Sequence, residues 1–174
     1  MKKILITYAT YTGSAETVAE LVSSNLESKG VNTVVLPMTE VKDLKGYDAV
    51  IAGSAIHGGK WLPEAFDFLE LHKDALKSRP FAAFLVCMTM AMKNSEKYKQ
   101  FVSDFMIPVR EIVKPASEGL FAGRLEINKI HSLGNRIKFR ISVATGVWKE
   151  GDHLNKPEID KWSEEVYLKI ITDN

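Results

Sequence analysis

The chain has 174 residues, of which 45% are hydrophobic, and its formal net charge is +1. This length and composition predict one domain, spanning residues 1–174, with a sizeable core. The sequence shows no basic face with interleaved aromatics, so nucleic acid is not an expected partner. No apolar run reaches the ~18 residues of a membrane span, no signal-peptide pattern follows Met1, and the lone Cys87 excludes an internal disulfide. We therefore expect a cytoplasmic protein.

Strands and helices are predicted to alternate along the chain. The predicted strands cover residues 4–8, 31–36, 47–53, 81–88 and 120–125. A first helix follows the turn at residues 10–17, with Val18, Leu21, Val22 and Leu26 on its buried face. Further helices are predicted over 63–78, over 95–114 and from Pro157 to about residue 170. Pro108 should kink or shorten the third helix, whose inward side chains are expected to be Phe101, Phe105 and Ile112. Near-continuous apolar strands that alternate with helices indicate a parallel sheet covered on both faces.

The turn between the first strand and the first helix is rich in hydroxyl groups. Its sequence is Thr10-Tyr11-Thr12-Gly13-Ser14-Ala15. The N-terminus of a helix attracts anions through its free N–H groups and its dipole. The turn has neither the lysine of a Walker motif nor the three glycines of a dinucleotide fingerprint, which favours the terminal phosphate of a cofactor that stays bound. A simple N-cap function is the alternative.

This turn resembles the FMN phosphate loop of the flavodoxin superfamily, which reads Ser/Thr-x-Thr-Gly-x-Thr after the first strand. Thr10, Thr12 and Gly13 match that pattern, whereas Ala15 stands where the family usually has a hydroxyl. The resemblance implies an α/β, flavodoxin-like, doubly wound sheet of five parallel strands in the order 2-1-3-4-5. It also implies non-covalent FMN binding, with one phosphate hydrogen bond missing or supplied elsewhere.

Two further loops should share the site, because ligands of such sheets bind beyond the carboxyl ends of the strands. One loop is Ser54-Ala55-Ile56-His57-Gly58-Gly59-Lys60-Trp61, and the other contains Met88-Thr89-Met90-Ala91. The two glycines would let backbone N–H groups approach the polar edge of the flavin. Trp61 could stack on the ring or pack beneath the next helix. His57, the candidate catalytic residue, could donate to the ring or be an ordinary surface residue, and no histidine spacing indicates a metal site.

Two segments narrow the resemblance. Residues 53–56 (Gly-Ser-Ala-Ile) and 121–125 (Phe-Ala-Gly-Arg-Leu) resemble the menaquinone-dependent protoporphyrinogen oxidase branch of flavodoxin-like proteins. That branch has a long insertion before the last helix, which residues 127–149 match in place and length, but it usually has Arg and Tyr where this chain has His57 and Gly58. The branch implies an FMN-dependent oxidoreductase that oxidises a protoporphyrinogen-like substrate and reduces a quinone. The alternative is an electron carrier that docks to redox proteins.

The insertion is basic and its periodicity is ambiguous. Between residues 127 and 149 the chain has no acid and five basic residues: Lys129, Arg136, Lys138, Arg140 and Lys149. A helical stripe runs from Ile130 to Trp148, while residues 136–143 alternate as in a strand; the family resemblance favours the helix. A basic face beside an apolar one suits an anionic membrane surface or a carboxylated substrate, which predicts a peripheral membrane contact. The alternative is that the insertion is a solvent-exposed segment packed on the edge of the sheet.

Overall fold

The computed structural model of the chain describes residues 2–130 and 132–172. Its strands are β1 (Lys3–Ala9), β2 (Asn32–Pro37), β3 (Ala49–His57), β4 (Lys60–Trp61), β5 (Phe81–Val86), β6 (Ser117–Phe121), β7 (Arg124–Leu125) and β8 (Gly151–Asp152). Its α-helices are α1 (Ser14–Glu27), α2 (Pro63–Lys77), α3 (Lys99–Ser103), α4 (Ile107–Ile112), α5 (Leu133–Ala144) and α6 (Lys156–Val166). A π-helix over Tyr167–Thr172 continues α6.

The main sheet confirms the predicted fold class. Its parallel strands lie side by side in the order β2-β1-β3-β5-β6, and β4 adds an antiparallel partner to β3. Numbered among the parallel strands alone, this is the order 2-1-3-4-5 of a doubly wound sheet. The direction of winding reverses between β1 and β3, so a crevice opens beyond their carboxyl ends.

A hydrophobic core lies on each face of this sheet. Residues of α1 and α6 cover one face, and residues of α2, α3 and α4 cover the other. Gly53, in β3, is required by its neighbour Phe84, since a Cβ at position 53 would lie 2.0 Å from Phe84 Cζ. The Phe84 ring also meets the edge of Trp162 in α6, with the ring centroids 5.9 Å apart. The closing helix is therefore held at the centre of the sheet.

The segment predicted as one helix over 95–114 is divided into four short pieces. Turns of 3₁₀ helix, Ser95–Tyr98 and Asp104–Met106, precede α3 and α4 respectively. Pro108 lies in the first turn of α4, where a backbone N–H would have no partner within the helix, so its absence costs no hydrogen bond. The expected shortening of the helix at Pro108 is confirmed. Phe101, expected to face inward, is 55% exposed. The tighter 3₁₀ turns shift the helical period, so Val102, Met106 and Val109 fill the core instead.

The insertion is largely helical. Helix α5 covers residues 133–144, and its N-cap, Ser132, accepts a hydrogen bond from the N–H of Asn135. The strand alternative for residues 136–143 is therefore wrong. Residue 131 of the insertion lies outside the described residues. Among the residues that are described, no helix is long and apolar enough to cross a membrane.

The base of the insertion is closed by a two-stranded ladder. Strands β7 and β8 pair antiparallel, and Arg124 Nε donates to Asp152 Oδ2 at 2.8 Å. The predicted fifth strand, residues 120–125, is thus two elements: β6 ends at Phe121, and β7 belongs to the ladder. The chain must turn away from the sheet after Phe121 because the insertion leaves from that point and returns at β8.

Candidate functional site

Two adjoining pockets lie where the carboxyl ends of β1, β3 and β5 meet the insertion. The first, here the loop pocket, is narrow, with a volume of about 90 Å³, and includes Tyr11, Thr12 and Ser14 in its lining. The second, here the aromatic pocket, has a volume of about 510 Å³ and is lined in part by Gly58 and Gly59. Ile56, His57 and Met88 line both pockets. The three loops expected from the sequence to converge therefore do meet in one place.

The turn after β1 has the geometry of an anion cradle. Gly13 is the N-cap of α1, with φ at +91°, a conformation that favours glycine. Its N–H donates to Thr10 Oγ1 at 2.9 Å, and its carbonyl accepts from the N–H of Thr17 at 3.1 Å. The N–H groups of Ser14 and Ala15, in the first turn of α1, have no acceptor within the helix. Free N–H groups and the helix dipole at this end favour an anion, and Ser14 lines the loop pocket beside them.

The connection after β6 completes this cradle. Ser14 Oγ, 5% exposed, accepts a hydrogen bond from the N–H of Arg124 at 3.0 Å. Arg124 also lines the loop pocket, and its guanidinium is paired there with Asp152. Burial would raise the pKa of Asp152, but the N–H of Leu154 and the Arg124 guanidinium hold that pKa below its usual value. Sequence reasoning missed Arg124 because it lies far from the turn along the chain.

The loop after β3 is a tight hairpin rather than an open loop. Strand β3 continues to His57, and Gly58 and Gly59, with φ of +59° and +77°, turn the chain back into β4. Left-handed φ at both central residues is the geometry of a type I′ turn. Within the described residues, a Cβ built on Gly58 would meet nothing within 4 Å. The backbone at Gly58 therefore faces open space in the aromatic pocket.

Two residues expected at the site are instead structural. Trp61 is 2% exposed and lies in the core covered by α2, so its indole has no face available for a ring to stack on and that expectation is corrected. Ser54 is fully buried, and its Oγ accepts a hydrogen bond from the N–H of Leu62 at 3.0 Å. The antiparallel pairing of β3 with β4 causes both placements, because it turns Trp61 back under the sheet edge.

His57 stands at the junction of the two pockets. Its side chain is exposed, and its ring lies against that of Tyr11, with the centroids 4.7 Å apart and the planes tilted by 31°. Ala55 and Ile56 precede it on β3 and line the loop pocket with it. An imidazole at this junction can donate an N–H to a ligand in either pocket.

The loop after β5 is a 3₁₀ turn, Met88–Ala91, whose residues divide between site and core. Met88 and Thr89 line the aromatic pocket. Met90 is 9% exposed and lies in the core, and Ala91 packs against that core. Of the two methionines expected beside the ring, the structure brings only Met88 to the pockets.

The wall opposite these loops comes from residues that the sequence did not assign to the site. Phe139 and Asn135 of α5 line both pockets, and Lys138 and Trp148 line the aromatic pocket. Phe101 and Phe105, expected in the core, complete the aromatic pocket. Phe139 and Trp148 also pack with Tyr11 and Met88 around a small apolar cluster. The insertion therefore covers the crevice and is not a separate excursion.

This arrangement defines a class of protein. A doubly wound sheet, with a hydroxyl-rich turn at a helix N-terminus after β1 and a pocket beside the next two loops, is an arrangement that can accommodate a phosphate-bearing ring cofactor. A family profile described as "Flavodoxin domain" matches residues 5–145. The chain belongs to the flavodoxin domain family. Members of this family bind FMN, and the cofactor predicted for the chain is confirmed as FMN.

Individual relatives agree with this assignment. A flavodoxin from Maridesulfovibrio salexigens is 36% identical over 81 residues, which are 45% of this chain and 55% of that protein. The crystal structure of oxidised Flavodoxin 2 from Bacillus cereus has a TM-score of 0.52 at 27% identity and covers 83% of this chain and 99% of its own. A flavodoxin from the domain Archaea has a TM-score of 0.52 at 18% identity and covers 94% of this chain and 98% of its own. Because the archaeal flavodoxin is only 18% identical, its similarity to this chain shows the fold alone.

Proposed function

We propose that residues 1–174 form one FMN-binding domain that carries electrons between redox proteins. The observation that carries this proposal is the convergence of the anion cradle, the Gly58-Gly59 hairpin and the Met88 turn on one crevice of a flavodoxin fold. A carrier of this kind also agrees best with the relatives from Maridesulfovibrio salexigens and Bacillus cereus, because both are themselves named flavodoxins.

The residues present fit FMN. The hydroxyls of Thr10 and Thr12, together with the first-turn N–H groups of α1, would hold the phosphate next to the ion pair of Arg124 and Asp152. Ala15 offers no hydroxyl, whereas Ser14 Oγ accepts from the Arg124 N–H and keeps its own O–H for a phosphate oxygen. Fewer side-chain donors than usual therefore reach the phosphate, and the backbone N–H groups supply the rest.

The ring would lie in the aromatic pocket, whose volume falls within the range of small-molecule sites. FMN supplies the reversible uptake of electrons, and the protein supplies position and electrostatics. The N–H groups near Gly58 and Gly59 would face the polar edge of the ring, and Met88 would lie against its apolar part. His57, at the pocket junction, would donate an N–H to the ring and is the candidate for proton exchange with it.

A second candidate function is favoured by one observation, the covering of the crevice by the insertion. Phe139 and Trp148 close a side of the aromatic pocket that a docking redox protein would otherwise approach. The overall charge of +1 is also weak steering for a shuttle, since opposite charge accelerates docking between proteins. Under this candidate the chain oxidises a reduced, protoporphyrinogen-like substrate and passes the electrons to a quinone, with residues 127–149 against a membrane.

Stopped-flow reoxidation separates the two functions. The FMN-loaded protein is reduced under anaerobic conditions and mixed either with an oxidised redox protein such as a ferredoxin reductase or with a soluble menaquinone analogue. Free reduced FMN at the same concentration is the control. The carrier proposal expects saturable, salt-sensitive reoxidation by the protein and quinone rates no faster than those of free FMN. If only the quinone gave saturable reoxidation, the carrier proposal would be rejected in favour of the oxidoreductase proposal.

A further inference from the structure

Helix α5 has a second apolar face, which points away from the crevice. Phe139 and Val143 face inward and pack in the small cluster with Leu125. On the opposite side, Leu133, Ile137 and Ile141 are 71%, 52% and 58% exposed. Their spacing of four residues places them on one stripe of the helix, which is about 18 Å long at 1.5 Å per residue.

This stripe differs from the other exposed apolar side chains. Leu71 on α2 and Leu168 near the C-terminus are also exposed, as are Tyr98, Phe101 and Ile107 in three different short helical pieces. None of these forms a row of three on one helix, and scattered apolar side chains at the surface are normal. Three aliphatic side chains in a row are not scattered, and Val147, 52% exposed, extends the apolar surface beyond the helix. A contiguous exposed apolar patch of this kind marks a binding surface.

The charges around the stripe select its partner. Arg140 is exposed beside it, and Lys149 is exposed beyond its C-terminal end. Lys138 is also exposed and lies between the stripe and the face that lines the aromatic pocket. Within the described residues, none of these three forms an ion pair with a carboxylate. Arg136 donates to the carbonyls of Ile130 and Asn128 and so keeps its full positive charge as well. The surface is therefore apolar along its centre, and cations without a carboxylate partner lie at its edges.

An anionic bilayer matches this pattern better than a second copy of the chain does. In a symmetric dimer through this face, the cations of the two copies would meet one another, and like charges across an interface oppose association. Anionic headgroups would instead pair with the cations while the aliphatic side chains enter the boundary with the acyl chains. We propose that the outer face of α5 binds the surface of an anionic phospholipid bilayer, with Leu133, Ile137 and Ile141 inserted.

This contact would place the crevice next to the lipid. The inner face of α5 lines both pockets, so a bilayer against the outer face lies one helix diameter, about 10 Å, from the FMN site. A partner dissolved in the membrane would then reach the aromatic pocket by a short path. The lipid contact itself does not depend on which substrate or redox protein exchanges electrons with the flavin.

The test is co-sedimentation of the FMN-loaded protein with phosphatidylcholine vesicles, prepared with and without phosphatidylglycerol. We expect salt-sensitive binding to the anionic vesicles and little binding to the neutral ones. The double variant Ile137→Gln/Ile141→Gln should weaken binding at least tenfold. Arg140→Gln/Lys149→Gln should weaken it by roughly fivefold for each residue changed, the contribution of one basic residue at an anionic leaflet. Leu71→Gln/Lys77→Gln, with both positions exposed on α2, is the matched control and should bind like the wild type.

Retention of FMN absorbance and of the circular dichroism spectrum shows that each variant is folded. The variants avoid Arg136, because its bonds to Ile130 and Asn128 hold the insertion together. Wild-type protein that ignores anionic vesicles would overturn the proposal, as would α5 variants that bind like the α2 control. Light scattering that shows a dimer lost in Ile137→Gln/Ile141→Gln would overturn it in favour of contact between copies. Binding of an acidic protein to the same face in the absence of vesicles would also overturn the proposal, in favour of a protein partner.

Discussion

Replacing Thr12 by alanine tests the phosphate cradle. Thr12 lines the loop pocket beside Tyr11 and Ser14. A hydrogen bond to a charged group contributes about 1.5–3 kcal/mol, and about 1.4 kcal/mol is a tenfold change in Kd. The Kd for FMN should therefore rise about 10- to 100-fold. Thr12 is only half buried, so water replaces part of the lost bond and the lower end of this range is expected.

The same change should leave riboflavin almost unaffected, because riboflavin has the ring and the ribityl chain but no phosphate. Quenching of flavin fluorescence during titration of the apoprotein measures both Kd values. Thr12→Ser keeps the hydroxyl and is the control, with FMN affinity close to the wild type. Equal weakening of FMN and riboflavin, or unchanged FMN affinity in Thr12→Ala, would refute the reasoning and remove Thr12 from the phosphate site.

Three further predictions concern the hairpin, the aromatic pocket and the core. Gly58→Asn should keep the left-handed turn at φ +59° and the fold, but shift the flavin potential; an unchanged potential would place the hairpin away from the ring. Lys138→Gln removes a cation from the aromatic pocket and should lower the potential of bound FMN in spectroelectrochemistry. The expected shift is about 30 mV for each tenfold loss in relative affinity for two-electron-reduced FMN, and no shift would mean that the Lys138 ammonium group is remote from the flavin. Burial lowers the pKa of His72 below 6.5 despite a hydrogen bond with the backbone of Val41. The unfolded chain then binds the proton more readily, so the unfolding free energy should fall as pH drops below about 6.5. His72→Gln should weaken the pH dependence of the unfolding free energy measured by urea titration. An unchanged pH dependence in this variant would mean that other titratable groups cause it.

The parallel sheet could be predicted from sequence because its strands are strongly apolar. Residues of β1 and β5 are buried almost without exception, a pattern that leaves no alternative to burial on both faces. The cradle at Thr10–Ser14 was also predictable, since it depends on one short local segment. Strand ends were less predictable: β3 runs on to His57 because β4 folds back onto it, a pairing that local periodicity does not reveal.

The far wall of the site could not be predicted, because it depends on how distant segments pack. Phe101 was expected to face inward from the helical pattern, yet 3₁₀ turns rotate the core face onto Val102 and Met106. Phe105, expected inward from the same pattern, packs against the core and also lines the aromatic pocket. In α5 the inward and outward faces both carry apolar residues, so periodicity alone did not indicate which face covers the crevice. The sequence did contain one indication of this arrangement. A single helix with an apolar stripe on each of two sides is expected to pack against a different surface on each side.

The absorption spectrum of the purified protein, followed by mass spectrometry of the released cofactor, tests the central claim most directly. The anion cradle and the aromatic pocket predict flavin absorption bands and release of one FMN per chain, with the apoprotein regaining the bands when FMN is added. A folded, colourless protein that does not bind added FMN, or one that retains riboflavin as readily as FMN, would contradict the account.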